Sequence, residues 1–177
     1  ATPTIVLSEG ADPRVAEAAV AASAANLAKI ICIGDPALVQ PALAAAGGTG
    51  DILIENPATS ARLPSYVAEY VRKRAVKGMT PEKAQVELSQ ANFFAAAMVA
   101  AGDADGTIGG AVYATPDIIR AALKVIGTAE GTKLLSSYFF MLFEDRPDLP
   151  SPVNVFTDCG LVIDPSAEEL ADIAMSS

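Results

Sequence analysis

An α/β fold with a mostly parallel sheet is predicted for this 177-residue chain. The first observation behind it is a recurring helix opening. Asp12-Pro13, Asp35-Pro36, Thr80-Pro81, Thr115-Pro116 and Asp164-Pro165 each pair a capping side chain with a proline suited to the first helical position. The second is that all but Thr80 follow an apolar run: "TIVLSEG", "KIICIG", "GTIGGAVY" and "VNVFTDCGLVI". Strand, short loop and capped helix, repeated, is the pattern of βα units. The third is that these runs are near-continuous rather than alternating, as in strands covered by helices on both faces. With 51% hydrophobic residues and abundant alanine, the chain can bury a sizeable core with closely packed helices.

The elements follow in order. A strand over 4–8 leads to a helix over 12–27, and a strand over 29–34 leads to a helix over 35–46. "GGTG" at 47–50 stops that helix before a strand over 51–55. A helix over about 60–75 ends in the basic cluster "RKRAVK", whose positive charge suits a helix C-terminus, and Gly78 breaks it. One long helix is expected over 80–101, then a strand over 104–109, a glycine loop, and a helix over 115–126. The run "LLSSYFFMLF" predicts a buried strand over 134–143. A loop over 144–152 with three prolines reads as a hinge, so a first domain is expected over 1–145 and a second over 146–177. A strand over 153–158 and a helix from 165 complete the pattern, and the last helix lacks a stop signal, as in a tail that frays or a fragment of a longer protein.

Composition excludes several function classes. A net charge of −9 argues against nucleic acid, which requires clustered Lys and Arg on one face. An anionic small molecule stays possible, because a few local arginines can outweigh the net charge. The chain has no histidine, which removes His-based acid-base catalysis, His metal sites and Ser-His triads. "GDADG" resembles a calcium loop only superficially, since no glutamate stands at its twelfth position, and no metal is expected. Cys32 and Cys159 lie in apolar surroundings and read as core thiols in a reducing compartment. The start "ATPTIVLSEG" has no signal-peptide pattern and no apolar run approaches a membrane span, so a cytoplasmic location without membrane contact is expected. There is no P-loop and no G-x-G-x-x-G after the first strand.

The stretch "DGTIGGAVYATPDIIR", residues 105–120, carries the candidate chemistry. Ligands of open α/β sheets bind beyond the carboxyl ends of the strands, where Gly109, Gly110 and Thr115 are placed by this map. Glycines permit close backbone approach, and free N–H groups at a helix start attract an anion. Arg120 can reach back over that turn with a planar fork suited to phosphate or carboxylate. A tight turn followed by a solvated arginine satisfies the same residues. Ser136 and Ser137 need partners for their hydroxyls, either from backbone or from a cleft. Asp158 ends a strand, in a structural position or at a site edge.

The segments "GDADGTIGGAVYATPDIIRAALKVIGTAEGTKLLSSYFFML" and "VFTDCGLVIDPSAEELADIAMSS", with "IVLSEGADPRVAEAA", "KIICIGDP" and "KGMTPEKA", resemble the phosphate acetyltransferase family over essentially the whole chain. The resemblance implies a three-layer α/β/α architecture like that of isocitrate and isopropylmalate dehydrogenases. It implies transfer of an acetyl group between coenzyme A and phosphate, with coenzyme A as substrate, no cofactor, and a homodimer in the full-length protein. Arg120 corresponds to a family arginine. A second corresponds to Arg74 when counted back from Gly78, or to Arg72 when aligned from the tyrosine side. Gly109, Gly110, Thr115, Ser136 and Ser137 are then substrate-binding. The family's serine, arginine and aspartate on the coenzyme A side come from a later region, so this chain alone is expected to be inactive. Tyr113 stands where the family usually has histidine and Ala121 where it has proline, and the 144–152 loop is longer than usual, which leaves the acyl group open. Phosphate butyryltransferase and a non-catalytic domain of the same fold are the alternatives. A decarboxylating dehydrogenase would need paired metal-binding aspartates and a nicotinamide site, and neither is evident.

Overall fold

In a computed structural model, residues 1–48, 51–143, 148 and 151–176 are described. They fall in two compact units, Ala1–Gly127 and Thr128–Ser177. The division lies ahead of the expected border at 145/146, because the strand expected before that border pairs with the one after it. Most of the 144–152 loop and the end of "GGTG" lie outside the described residues.

The first unit is built on a parallel sheet of β1 (Thr4–Leu7), β2 (Lys29–Ile33), β3 (Leu53–Glu55) and β4 (Gly106–Ile108), in the order β3-β2-β1-β4. Register pairs Val6 with Ile31 on one side and with Thr107 on the other. Successive strand residues point to opposite faces, and the core divides accordingly. Leu7, Ile30 and Cys32 pack with Ala16, Ala19, Val39 and Leu43 of α1 (Pro13–Ala24) and α2 (Pro36–Ala45). Val6, Ile31 and Ile33 pack on the other side, with α3 (Leu63–Arg74), α4 (Pro81–Leu88), α5 (Ala91–Ala101) and α6 (Thr115–Val125). Both faces are thus covered, as the continuous apolar runs require.

The proline openings hold where a short polar side chain can cap. Asp12 accepts from the Arg14 N–H at 2.9 Å, Asp35 from the Ala37 N–H at 2.9 Å, and Thr80 from the Lys83 N–H at 3.4 Å. Two openings differ from expectation. The cap of α6 is Ala114, whose carbonyl accepts from the Asp117 N–H, so Thr115 is already helical and Pro116 sits second. Proline is tolerated anywhere in the first turn, where its missing N–H has no helical acceptor. In the second unit, Asp164 has a left-handed φ of 52°, and α7 (Ala167–Ser176) starts instead behind Ser166. Ser166 and Glu169 exchange bonds as a capping box.

The helix expected over 80–101 is two helices. The Ser89 hydroxyl bonds back to the Val86 carbonyl at 2.8 Å, and Gln90 turns extended with ψ 135°. Such back-bonding competes with the helical ladder. The break suits the two halves: α4 buries one stripe, whereas α5 buries every residue from Asn92 to Met98 as the central helix of its layer. The helix expected over 60–75 ends in a 3-10 turn, Ala75–Lys77, closed by Gly78 at φ 72°.

The second unit contains β5 (Tyr138–Leu142) antiparallel to β6 (Val153–Thr157), separate from the parallel sheet. The strand expected to be buried over 134–143 is shorter and exposed throughout. A two-stranded ribbon has no covering layer of its own to bury both faces.

Candidate functional site at the switch point of the parallel sheet

Strand order reverses between β1 and β4. The chain winds from β1 outward to β2 and β3, then returns to place β4 on the other side of β1. The crevice beyond the carboxyl ends at such a reversal is where open α/β sheets bind ligands. Two segments leave the sheet there, Ser8–Gly10 after β1 and Gly109–Ala114 after β4. A cleft of about 270 Å³ opens beside them, lined in part by Glu9, Asp35, Leu38, Val112 and Tyr113. A larger cavity of about 340 Å³, lined by Tyr66, Tyr70, Lys73 and Asp103, lies at the amino-end side of β4 and has no such position.

The glycines are sterically specified. A Cβ at Gly109 would stand 2.5 Å from Ser8 Oγ and 2.8 Å from Ile118 Cδ1. Gly110 has φ +115°, a conformation that L side chains rarely adopt. The loop amides, however, are not free. Glu9 takes four successive N–H groups. Its Oε2 accepts from Gly110 at 2.9 Å and Ala111 at 3.0 Å, and its Oε1 from Val112 and Tyr113 at 2.7 Å each. Arg14 donates to the Ala111 carbonyl at 2.7 Å while gripping Asp12 through Nε and Nη2. The expected bare anion receptor at Gly109–Gly110 is therefore filled by the chain's own carboxylate.

Glu9 is 8% exposed. Burial pushes its carboxyl upward, but the four backbone donors outweigh this and hold it below the usual range. Asp12 is held down to about 2 by the Arg14 guanidinium bonded to it. Sequence reasoning missed Glu9, because its partners lie 101 to 104 residues away. A glutamate between an apolar strand and a capped helix was the only local signal.

Arg120 does reach back over the first turn of α6, where Nη1 meets Asp117 Oδ1 at 2.7 Å, and its side chain remains 55% exposed. Thr115 is exposed at the helix start. The buried Asn92 side chain donates to the Asp117 carbonyl at 3.2 Å, tying α5 to that turn. Arg74 lies at the far end of α6, donating to the Lys124 carbonyl at 3.3 Å. Around it Glu87 accepts from Tyr70 and Lys124, and Lys124 lies 5.6 Å from the Phe93 ring centre. Seven residues of helix, roughly 10 Å of rise, separate the α6 residues to which Arg120 and Arg74 bond. Arg72 instead pairs with Glu69 on its own helix through Nε and Nη2 and is 71% exposed.

Ser136 and Ser137 belong to the second unit and precede β5 rather than lying within it. Ser137 bonds to Asp158, whose other oxygen accepts from Leu161 at 3.0 Å and from Val162. The Ser137 hydroxyl, first of these donors, holds the Asp158 carboxyl well below its ordinary value. Ser137 and Asp158 thus organise the turn after β6, and Ser136 is half-buried. Among the described residues, no three His, Cys, Asp or Glu side chains group to hold a metal ion, and no helix is long and apolar enough to cross a membrane.

Comparison with known proteins identifies the family. The family model "Phosphate acetyl/butaryl transferase" matches residues 1–177. A phosphate acetyltransferase of Paracoccus denitrificans is 44% identical over 98% of this chain and 51% of its own length. One from Haemophilus influenzae is 40% identical over 98% of this chain and 24% of its own length. A phosphotransacetylase structure from Streptococcus pyogenes superposes with a TM-score of 0.87 at 35% identity, covering 98% of this chain and 51% of that one. A EutD phosphotransacetylase from Staphylococcus aureus gives 0.85 at 34% identity, covering 97% and 50%. The chain therefore spans about half or less of these relatives, while nearly all of its own length is matched. With its full length matched by one family model, the chain belongs to the phosphate acetyl/butaryl transferase family.

Proposed function

We propose that this chain supplies the phosphate side of an acetyltransferase cleft, in the reaction acetyl-CoA + Pi ⇌ acetyl phosphate + CoA. The observation that carries it is Arg120, a guanidinium more than half exposed beside the switch-point loop, in a chain that the family model matches throughout. In the thioester-forming direction the coenzyme A thiolate attacks the acetyl carbonyl. The C–S bond forms, the C–O bond to phosphate breaks, and phosphate leaves with the electron pair. Arg120 binds the phosphoryl oxygens and offsets the charge that develops on them, and Arg74 is its partner from α3. Asp117 shields Arg120 until substrate displaces it. Gly109 and Gly110 shape the loop, Thr115 binds substrate at the start of α6, and Ser136 and Ser137 are the substrate-binding residues of the second unit. Coenzyme A is a substrate and no cofactor is required. The base that deprotonates it belongs to the half that the longer relatives carry beyond this match, so the isolated chain is inactive. The architecture is of the isocitrate/isopropylmalate dehydrogenase type, and the working form is a cytoplasmic homodimer.

The test starts with the intact mass of the complete gene product bearing this sequence, followed by thioester formation from acetyl phosphate and coenzyme A. Arg120→Ala should lower the rate about 10²-fold, the magnitude of losing one charge-stabilising donor. An unchanged rate refutes the role of Arg120. Butyryl phosphate, run in parallel, decides between acetyl and butyryl transfer.

A further inference from the structure

Backbone N–H groups that converge in a concave loop normally serve as an anion receptor. In this chain the receptor and its anion are both internal. Four consecutive amides, Gly110 to Tyr113, point at the two oxygens of Glu9 at 2.7 to 3.0 Å. The loop so held runs directly into α6. Unlike α1, α2 and α4, α6 has no side-chain cap at its start. Its entry is fixed by the Glu9-bound segment before it, by Arg14 on the Ala111 carbonyl, and by Asn92 on the Asp117 carbonyl. Arg120 follows three residues after Asp117, so any rotation of the loop swings its guanidinium.

We propose that Glu9 is a positioning residue for acyl transfer: bonded to the amides of Gly110–Tyr113, it sets the approach of α6 and Arg120 and closes those amides to the phosphoryl group. The proposal rests on the acetyltransferase reading above. Recognition of the phosphoryl anion then falls to guanidinium groups rather than to backbone amides. A phosphate entering the loop would meet a buried carboxylate of its own sign with no free donor between them. Misplacing a reacting group by about 1 Å costs about 10²-fold in rate, so a loop released from Glu9 is felt at Arg120 without any change in Arg120 itself.

Glu9→Gln is the direct probe, since the amide keeps the shape but turns an NH₂ toward two N–H donors. In this chain, hydrogen exchange at Gly110–Tyr113 should speed about tenfold or more while β2 amides keep their protection, a factor equal to about 1.4 kcal/mol. In the complete gene product, Glu9→Gln should raise KM for acetyl phosphate about tenfold and leave KM for coenzyme A within about twofold. Formate should restore loop protection and rate to Glu9→Ala by refilling the carboxylate position. Unchanged exchange in Glu9→Gln, or equal movement of both KM values, overturns the proposal. A wild-type titration with inorganic phosphate needs no variant to fold. Amide shifts concentrated at 110–113 rather than at Arg120 would identify the loop as the anion site and overturn it as well. If the wild-type gene product forms no thioester, the acetyltransferase reading fails and takes the catalytic role with it. Exchange at 110–113 then still reports separately whether Glu9 holds the loop.

Discussion

Ser8→Ala should stabilise the protein, against the usual direction of a core substitution. Ser8 is 2% exposed, and its hydroxyl is fully buried without a hydrogen-bond partner among the described residues. The neighbouring cavity of about 20 Å³ is lined in part by Asn92, Ala96, Thr107, Ile118 and Ala121. A buried hydroxyl left unpaired costs about 1–3 kcal/mol, and alanine removes it at the loss of one small atom's packing. A gain of about 1–2 kcal/mol raises the melting temperature by roughly 2–8 °C for a chain of this size. Gly109→Ala supplies the second arm. Its new Cβ, 2.5 Å from Ser8 Oγ and 2.8 Å from Ile118 Cδ1, should cost about 1–3 kcal/mol by overpacking. In the Ser8→Ala background the closer of these contacts disappears, so the two changes should couple favourably by about 0.5 kcal/mol or more. Urea unfolding followed by far-ultraviolet circular dichroism measures all four proteins. A destabilised Ser8→Ala would mean that the hydroxyl has a partner, and additive effects would mean that Ser8 and Gly109 are not in contact. Either result refutes the packing described at the switch point.

Two further outcomes are cheap to test. Burial, then the bonds to Asp103 and Glu87, raise Tyr66 and Tyr70 above the ordinary 10.0. The protonated phenols are favoured in the folded state, so the stability they contribute is complete below pH 10 and lost as pH rises above it. In an alkaline titration of tyrosinate absorbance, both should ionise only with unfolding, and ordinary titration of all four tyrosines in the folded chain would contradict this. Burial also pushes the Cys32 thiol up to about 11, whereas Cys159 is half-buried. A thiol reagent at neutral pH should therefore label Cys159 first and reach Cys32 only as the first unit opens. Equal labelling rates would rule out the closed packing around Cys32.

What could be read from the sequence was local. Asp12 and Asp35 sit beside the amides they cap, so the Asp-Pro pairs located α1 and α2 directly. The alternation that splits Val6 from Leu7 between two cores follows from the strand period alone. The failures were non-local or marginal. Ser89 can continue a helix or bond back to Val86, and only the packing of α5 decides between them. Thr115 and Ala114 compete for one cap, and the loop before them settles it. Glu9 became legible only when β4 was seen to lie beside β1, because nothing in its neighbourhood names residues a hundred positions later.

The exposed β5–β6 ribbon bears on how the chain is made. Synthesis proceeds at about 5–20 residues per second with domains closing from the N-terminus, so residues 128–176 emerge over roughly 2–10 s after the first unit is complete. During that interval Phe139, Phe140, Leu142 and Phe156 have no apolar layer within their own ribbon to retreat into. Segments of this kind are what holdase chaperones grip. Exposed apolar surface and strand edges of this kind are what make a nascent chain prone to aggregation.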